Sequence, residues 1–455
     1  MKMKKTVRLI LFALVILSML ALVACAEEDA PTSPGPGSEA PPGNIQDPAG
    51  GDDVVNDRPF EGQTLTVITG AAAHLEAIAG YFTEETGITL EIMGMTSGDI
   101  RTRFALEAAS RTGTLDILGA NYQWHAEFIT DEASLYLPIE RFMNNPDFPQ
   151  IPWDEFSRDA IEAYSMFRGV YYGVPHTVDV YLFTFNRAMY EQAGLDPDRP
   201  PTTWAEVIEN ARIIEEAIPG VRGFAANGFR DLQIGTTYTQ ILFSLGANWT
   251  NDDHTIALFD QPAAREALEI LVELFEVSPP ESVAFNGVDT AQAFAAGRVA
   301  QILNWPGVFG LNFTDEFLLI DPDDIVYAET PQGNSILGGW SYFINYHTPN
   351  ADASYHFLAW FARSDIQIKY ALSGGATANL VALANTDVIE RFPYMPAVAA
   401  SMYSAWPYQI MPVTGELRML MSEELNDFIT GVTDFEGALR GMQNRTQQLL
   451  DDMNR

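Results

Sequence analysis

The sequence predicts an α/β protein with two lobes, and three observations support this prediction. Strand-like and helix-like segments alternate between residues 64 and 120 in the order β-α-β-α-β. Amphipathic helices with recognisable start signals follow further along the chain. The roughly 400 residues after position 59 exceed what one hydrophobic core usually supports, so two lobes are expected.

The alternating segments predict a doubly wound, mainly parallel sheet. They are the strand TLTVITG (64–70), a helix over 73–86, the strand ITLEIM (88–93), a helix over 97–110 and the strand LDILGA (115–120). Sheets of this kind, with right-handed crossovers, bind ligands beyond the carboxyl ends of their strands. Ligand contacts are therefore expected in the loops that begin at Gly70, Met93 and Ala120.

Three later segments predict amphipathic helices. The segment TWAEVIENARIIEEAIPG follows Thr202 and carries Thr203 and Glu206 at the spacing of a capping box. The segment DQPAAREALEILVELFEV has Asp260 as its expected cap. The C-terminal helix is expected to begin with a second capping box formed by Thr433 and Glu436.

The first 24 residues have the layout of a secretory signal peptide. Basic residues open the chain, and an uncharged apolar run extends from Leu9 to Val23. This run is shorter than the roughly 20 apolar residues that span a bilayer, and small residues and a cysteine follow it at once. A membrane-spanning anchor is therefore the less favoured interpretation.

Cys25 is the only cysteine in the chain, so a disulfide within one chain is excluded. The residues LVAC at 22–25 resemble the bacterial lipobox, in which the signal is cut before the cysteine and the thiol carries a diacylglycerol. The resemblance implies lipidation at Cys25 and an extracytoplasmic protein anchored to the cell membrane. Residues 25–59 predict a disordered Pro/Gly-rich tether, with eight acidic residues and one Arg after Cys25.

The charge of the chain excludes one class of partner. The net charge is −36, which is unfavourable for binding to the phosphates of nucleic acid. Lysine is nearly absent after the signal segment, with Lys369 as the only example. The acidic surface suggests adaptation to an external environment that is saline or alkaline.

Four segments occur in an order that resembles family 1 of the extracellular solute-binding proteins of ABC importers, the family of maltose-binding protein. Within residues 168–214, the motif YGVP leads into a strand that ends in Phe-Asn. The motif AGLD, a proline and the dipeptide TW follow in that order, and TW begins a helix. The other three segments are FAAGRVAQILNWPG (294–307), GGWSYFINYHTPNADASYHFLAWF (338–361) and QIMPVTGEL (409–417). With the final helix they cover nearly all of residues 60–455.

This resemblance implies a two-lobed periplasmic-binding-protein-like fold of type II. Each lobe would contain a mixed, mainly parallel sheet flanked by helices, with a hinge between the lobes. The implied lobes are residues 60–175 plus about 330–388 and residues 176–329 plus about 389–455, with crossings near Pro175, near Glu329 and within 385–395. Ligand would bind between the lobes and favour the closed state of the hinge.

A sugar has apolar C–H faces and hydroxyl groups, so its site is expected to combine aromatic side chains with carboxylates or amides. Asn121, Tyr122, Gln123 and Trp124 follow the third strand, where the family carries cleft residues, although Trp124 could equally be a core residue. Asp179 is an isolated charge in the apolar strand VPHTVDVYLFTF and needs a partner or a ligand. It lies where the family has an acidic ligand contact.

Further candidate contacts come from segments that border the cleft in this family, and each has a core, hinge or surface role as its alternative. They are His176, Tyr238, Trp249, Trp305, Trp340, Trp406, Tyr408 and Glu416. Trp305 stands in NWPG, whereas the family usually has Asn-Gly-Pro-Trp. Gly70 and the alanines at 71–73 are small where maltose-binding protein has charged contacts, which predicts a roomier or less charged pocket.

The expected function is that of a monomeric substrate-binding lipoprotein of an ABC importer, which captures a sugar or oligosaccharide and delivers it to permease subunits. No cofactor is expected, and the six histidines are too scattered to indicate a metal site. A peptide, a polyamine or another small solute remains an alternative ligand, and a surface lipoprotein without a transport role is a further alternative. A hydrolase is disfavoured because G-x-S-x-G, H-E-x-x-H and P-loop motifs are lacking.

Overall fold

Two main β-sheets organise the chain, which the computed structural model describes over residues 58–130, 134–313 and 317–455. The strands are β1 (Thr64–Thr69), β2 (Thr89–Gly94), β3 (Ile117–Asn121), β4 (Met166–Phe167), β5 (Val170–Tyr171), β6 (Gly173–Val180), β7 (Leu182–Asn186), β8 (Gln301–Asn304), β9 (Ile325–Ala328), β10 (Ile336–Ile344) and β11 (Trp406–Pro407). The predicted signal peptide, Cys25 and nearly all of the tether lie outside the described residues.

The helices surround these sheets. Those of six or more residues are α1 (Ala72–Thr86), α2 (Ser97–Ser110), α3 (Arg187–Gln192), α4 (Trp204–Ala217), α5 (Gln233–Ser244), α6 (Pro262–Glu276), α7 (Gly287–Ala295), α8 (Pro306–Asn312), α9 (Ala351–Ala362), α10 (Ser364–Leu372), α11 (Thr386–Arg391), α12 (Met395–Met402), α13 (Thr414–Ile429) and α14 (Phe435–Met453). Within the described ranges, no helix combines the length and the apolar character needed to cross a membrane.

The larger sheet has the strand order β11-β10-β3-β1-β2, and β6 also pairs with β10. Strand β1 runs parallel to both β2 and β3. The helices α1 and α2 connect these three strands, so the β-α-β-α-β order predicted from the sequence is confirmed. Strand β10 enters this sheet antiparallel to β3 and β6 and lies between them.

The smaller sheet differs from the expectation of mainly parallel strands. Its central strand β7 is antiparallel to both β8 and β9. Strand β7 carries the chain out of the larger sheet and β9 carries it back, so these two strands run in opposite directions. Parallel pairing is limited there to isolated bridges, from Arg222 to Val299 and from Ala225 to Ile302.

The chain passes between the two sheets at two described places. Tyr181 alone separates β6 from β7, and residues 329–335 connect β9 to β10. Strand β6 continues through Pro175 as far as Val180 before the chain changes sheet. The lobe boundaries inferred from the sequence stay predictions.

The helix ends explain why several helices begin where the sequence predicts. The hydroxyl of Thr96 accepts a hydrogen bond from the Asp99 amide at the start of α2. The hydroxyl of Thr203 accepts from the Glu206 amide at the start of α4, which confirms that cap. The Glu206 carboxylate accepts from the backbone of Thr202, one residue before the predicted position. These bonds satisfy amides that would otherwise lack partners in the first turn.

Two predicted caps were wrong by one residue. Helix α6 has Gln261 as its N-cap and Pro262 as its first residue, whereas Asp260 had been expected. The fixed φ of proline suits the first helical position, which explains this start. Helix α14 is capped by Asp434, whose carboxylate accepts from the Gly437 amide, and Thr433 lies outside the helix.

Two buried tyrosines hold the first half of β10. The hydroxyl of Tyr122 donates to the carbonyl of Leu337 at 2.6 Å and accepts from the amide of Tyr408 at 2.9 Å. The hydroxyl of Tyr164 donates to the carbonyl of Gly338. A Cβ atom on Gly339 would lie 2.5 Å from Cζ of Tyr164, so only glycine permits this approach. Hydrogen bonds from side chains therefore hold β10 in place, in addition to its backbone hydrogen bonds with the neighbouring strands.

We expect Tyr122→Phe to lower the free energy of unfolding by about 1–3 kcal/mol, because the buried Tyr408 amide and the buried Leu337 carbonyl both lose their bonds to the phenol hydroxyl. Urea denaturation of the protein expressed without residues 1–25 measures this change. Tyr346→Phe is the matched control, since Tyr346 is 51% exposed. Equal stability of the Tyr122→Phe variant and the wild type would contradict this assignment.

Candidate functional site

A cavity of about 490 Å³ lies between the larger sheet and helices α8, α10 and α11. Its polar and aromatic lining residues are His74, His176, Thr177, Asp179, Trp340, Tyr370, Ser373, Arg391 and Phe392. Its small lining residues are Gly70, Ala71, Gly307, Gly310, Gly374 and Ala376. The volume falls within the range of about 300–1,000 Å³ that is usual for small-molecule sites.

The pairing of β6 with β10 positions the polar and aromatic groups of the wall. Trp340 lies opposite Thr177, and Gly338 lies opposite Asp179. The register shifts between Trp340 and the next residue, and such irregularities change the direction of side chains along a strand. A Cβ on Gly338 would lie 3.2 Å from Cβ of Asp179 and 3.4 Å from the Trp305 ring. This glycine therefore leaves space for both side chains.

The carboxylate of Asp179 is the main unpaired charge in the wall. In the described part of the chain it has neither a hydrogen bond nor an ion pair. Burial raises the pKa of Asp179 from 3.8 to about 6. A partly buried carboxylate without a partner costs free energy, and a ligand that donates hydrogen bonds would reduce this cost.

Two histidines add hydrogen-bonding groups. His176 is 1% exposed, its ring stacks on Tyr342 with centroids 4.1 Å apart, and Nδ1 lies 2.8 Å from the hydroxyl of Thr177. Its buried Nε2 has no hydrogen-bond partner among the described residues, and burial lowers the pKa of His176 to about 3, so the ring is neutral. Nδ1 of His74 lies 2.9 Å from the carbonyl oxygen of Ser373 and donates to it, because a carbonyl only accepts.

Aromatic and cationic side chains complete the wall. Trp340 is half-buried, and its ring packs edge-to-face against Trp124 at 5.2 Å, which fixes its orientation. An indole face held in this way can stack against the C–H face of a sugar ring. The guanidinium of Arg391 is exposed and lies 5.6 Å from the ring centroid of Phe392. The cavity therefore carries one acidic and one basic side chain.

The structure brings three of the sequence-predicted contacts to the cavity, namely His176, Asp179 and Trp340. Trp124 packs edge-to-face against Trp340, as described above. Trp305 borders Gly338 and packs against Tyr181 with ring centroids 4.3 Å apart. Asn121 pairs with Trp340 in the ladder, and its side chain accepts from the amide of Gln123.

Three other predicted contacts are fully buried and hydrogen-bonded within the protein. Tyr122 holds β10, as described above. Tyr238 donates to the carbonyl of Ala264 at 2.9 Å, and Trp249 donates to the hydroxyl of Thr239 at 3.1 Å. The structure does not bring these side chains to the cavity, and a role for them in ligand binding stays a prediction.

The remaining predicted contacts lie near α13. Gln123 accepts from the guanidinium of Arg418 at 2.7 Å, and the same guanidinium lies 4.6 Å from the ring of Tyr408. Trp406 is half-buried in β11 and packs edge-to-face against Phe243. Glu416 borders a separate groove of about 440 Å³ between α13 and α14. None of these four residues lines the cavity, and their ligand roles also stay predictions.

Several lining residues were missed by reasoning from the sequence. His74 lies in the first turn of α1, directly after the β1 loop, and this position was a usable signal. Tyr370 and Arg391 belong to α10 and α11, far from any predicted loop, and only the tertiary fold brings them to the cavity. In the described ranges, no group of three or more His, Cys, Asp or Glu side chains is arranged to hold a metal ion.

Residues 66–368 match the model of a family described as bacterial extracellular solute-binding protein. A relative from Sinorhizobium fredii, named probable amino-acid ABC transporter periplasmic-binding protein y4oP, is 28% identical over 400 residues, which cover 86% of this chain and 90% of the relative.

Two solved structures show the shared fold. An ABC transporter solute-binding protein from Agrobacterium radiobacter K84, in complex with ribitol, has a TM-score of 0.75 at 18% identity and covers 86% of this chain and 100% of its own. Maltose-bound MalE3 of T. maritima has a TM-score of 0.73 at 22% identity, with coverages of 85% and 99%. The two-lobed α/β fold of type II, predicted from the sequence, is confirmed.

We expect Asp179→Asn to stabilise the ligand-free protein near pH 7.5 by on the order of 1–3 kcal/mol. Because burial raises the pKa of Asp179 to about 6, the folded state binds more protons than the unfolded state between about pH 4 and pH 6. Stability therefore falls as pH rises through this window, and the advantage of the variant should vanish below it.

Urea denaturation at a series of pH values measures this effect. Asp252→Asn is the control, because Asp252 is exposed. An advantage for Asp179→Asn that is independent of pH would show that the ionised carboxylate is not the destabilising group.

Proposed function

Because the chain belongs to the bacterial extracellular solute-binding proteins, we propose that it captures a sugar or polyol in the cavity at Asp179 and Trp340 for an ABC importer. The observation that carries the proposal is the presence in one cavity of an unpartnered carboxylate and an oriented, half-buried indole ring. A carboxylate accepts hydroxyl hydrogen bonds, and an indole face packs on C–H groups. A sugar ring offers both kinds of surface at once.

The other wall groups suit the same class of ligand. Nε2 of His176 is enclosed by the protein, and the hydroxyl of Thr177, which contacts Nδ1 of this ring, is the neutral group of β6 that a solute can reach. It can bond a ligand hydroxyl without adding charge, and burial keeps the neighbouring ring uncharged by lowering the pKa of His176 to about 3. Neutral, polyhydroxylated solutes are therefore better matched to this wall than strongly charged ones.

The arrangement of the wall also supports capture by closure. Asp179 and Trp340 belong to the larger sheet, whereas Gly307 and Arg391 lie on helices α8 and α11. A ligand that contacts both groups of elements binds the closed arrangement better than an open one. Only such a difference in affinity shifts the equilibrium of a hinge.

The proposal also includes transport of the solute, anchoring to the membrane and a lack of catalysis. The S. fredii relative is named as an ABC transporter periplasmic-binding protein, which supports delivery of the solute to permease subunits. The lipobox-like sequence at Cys25 supports a lipid anchor on the outer side of the cell membrane. We propose that the protein acts as a monomer that binds and releases its solute unchanged.

A second candidate ligand is a zwitterionic solute such as an amino acid. Asp179 and Arg391 line the same cavity and carry opposite charges, so an ammonium group could bind the first and a carboxylate the second. The name of the S. fredii relative favours this class as well. Arg391→Gln separates the two candidates, because it should weaken binding of an amino acid and spare a neutral sugar.

We expect a saccharide or polyol to raise the melting temperature in a thermal-shift screen that also contains amino acids and polyamines. Trp340→Ala should weaken binding of that solute at least about tenfold, because the aromatic surface is lost, whereas Trp340→Phe should retain most of the affinity. Isothermal titration calorimetry measures both changes.

Tyr403→Ala is the control for this series, since Tyr403 is 76% exposed and does not line the cavity. Unchanged affinity in Trp340→Ala would remove the cavity from the proposal. A melting shift with amino acids alone, lost in Arg391→Gln, would replace the sugar with a zwitterion.

A further inference from the structure

The segment that returns the chain from the smaller sheet to the larger one is bonded to α5 by a single side chain. The amide nitrogen of Gln240, which is fully buried, donates to the hydroxyl of Thr330 and to the carbonyl of Asn334, both at 3.4 Å. The amide oxygen of the same side chain accepts from the backbone of Ile336 at 2.8 Å. Gln240 therefore contacts residues 329–335 near both ends and also the first residue of β10.

The backbone of this segment makes a left-handed turn. Gln332, Gly333 and Asn334 have φ angles of 63°, 72° and 48°. Residues with a side chain adopt this region rarely, so contacts with the surrounding protein must hold the turn. The amide of Gln332 donates to the carbonyl of Thr202 at 2.8 Å, just before α4. The side-chain amide of Asn334 donates to the carbonyl of Phe243 in α5 at 3.1 Å.

The next residues of β10 are bonded to the opposite side. The carbonyl of Leu337 accepts from Tyr122, which directly follows β3, at 2.6 Å. The carbonyl of Gly338 accepts from Tyr164. The contacts thus change from α5 to the larger sheet between Ile336 and Leu337. A change in the angle between the two sheets must bend the backbone at this point.

The other crossing changes its contacts at the same level. The hydroxyl of Ser335 donates to the carbonyl of Tyr181 at 2.8 Å, so the two crossings are bonded to each other. The phenol oxygen of Tyr181 accepts from the side chain of Asn227 at 2.9 Å, on the side of the smaller sheet. Val180, the preceding residue, pairs with Leu337 in the larger sheet. The second bending point therefore lies between Val180 and Tyr181.

We propose that Gln240 is a positioning residue of the hinge, because it keeps residues 329–335 fixed to α5 and confines bending to these two adjacent points. Without its bonds, residues 329–335 would form a flexible connection, and the sheets could tilt in several directions. Asp179 and Trp340 lie on the larger-sheet side of both points and stay with that sheet during closure. This inference rests on the closure that the proposed function includes, and it assigns the bonds that guide the movement.

Distances between two spin labels, measured by pulsed electron paramagnetic resonance without any solute, test this proposal. The chain from residue 26 onward contains no cysteine, so Glu76→Cys in α1 and Glu266→Cys in α6 provide unique labelling positions, and both residues are exposed. The wild type should give a narrow open population, a narrow closed population or both. Gln240→Ala should replace them with one distribution at least about twofold broader than either.

Two controls separate guidance of the hinge from a general loss of stability. Gln233→Ala makes the same change at the start of α5, where the side chain forms no hydrogen bond within the described ranges. Ser278→Ala removes a buried bond of 3.1 Å to the Ala226 amide, away from both crossings. Both controls should keep the wild-type distances. Ser335→Ala is the second test variant and should also broaden the distribution, because it separates the two crossings.

Equal widths in the wild type and Gln240→Ala overturn the proposal, as does one broad distribution in the wild type. The same broadening in Gln233→Ala or Ser278→Ala overturns it as well, since the effect would then be a general loosening. If Gln240→Ala does not fold, Ser335→Ala decides the question, and wild-type distances in that variant contradict the proposal. Because no solute is present, these outcomes leave sugar capture to the calorimetric titrations, and failure of those titrations leaves this measurement valid.

Discussion

The unpaired carboxylate of Asp179, held in the cavity wall by the pairing of β6 with β10, is the constraint on which the site depends. Gly338 lies opposite Asp179 and leaves room for its side chain, and no described residue neutralises the charge. The ligand-free protein therefore bears the cost of burying an ionised group, which the raised pKa expresses. Under the proposed function, a solute that bonds this carboxylate would lower that cost in the bound state only, so the same feature would provide both affinity and a preference for closure.

Glycines at two positions affect the shape of the site as much as the larger side chains do. Gly339 lets the ring of Tyr164 reach β10, and Tyr122 holds the neighbouring carbonyl, so the strand that carries Trp340 is fixed on both sides. Gly70 leaves the end of β1 open toward α2. A strand that is held on both sides thus presents Trp340 to the cavity.

Local patterns in the sequence predict the elements well and the site only in part. Alternating strand and helix segments give the parallel core of the larger sheet, and Thr203 marks the start of its helix. Asp179 stands out because a lone charge in an apolar strand needs an explanation. Tyr238 and Trp249 were expected at the site because their segments border the cleft in the family, but both lie in the core. An aromatic side chain next to a loop serves packing equally well. Arg391 reaches the cavity through long-range packing, which no local pattern reports.

Hydrogen exchange with and without the tightest-binding saccharide tests the central claim most directly, because it locates the bound solute without altering any residue. Protection should appear in peptides that contain Gly70, residues 176–179, Gly338 to Trp340 and the end of α10. The groove between α13 and α14, which is of similar volume, should remain unchanged. Protection confined to that groove, with none on β6 and β10, would contradict the account.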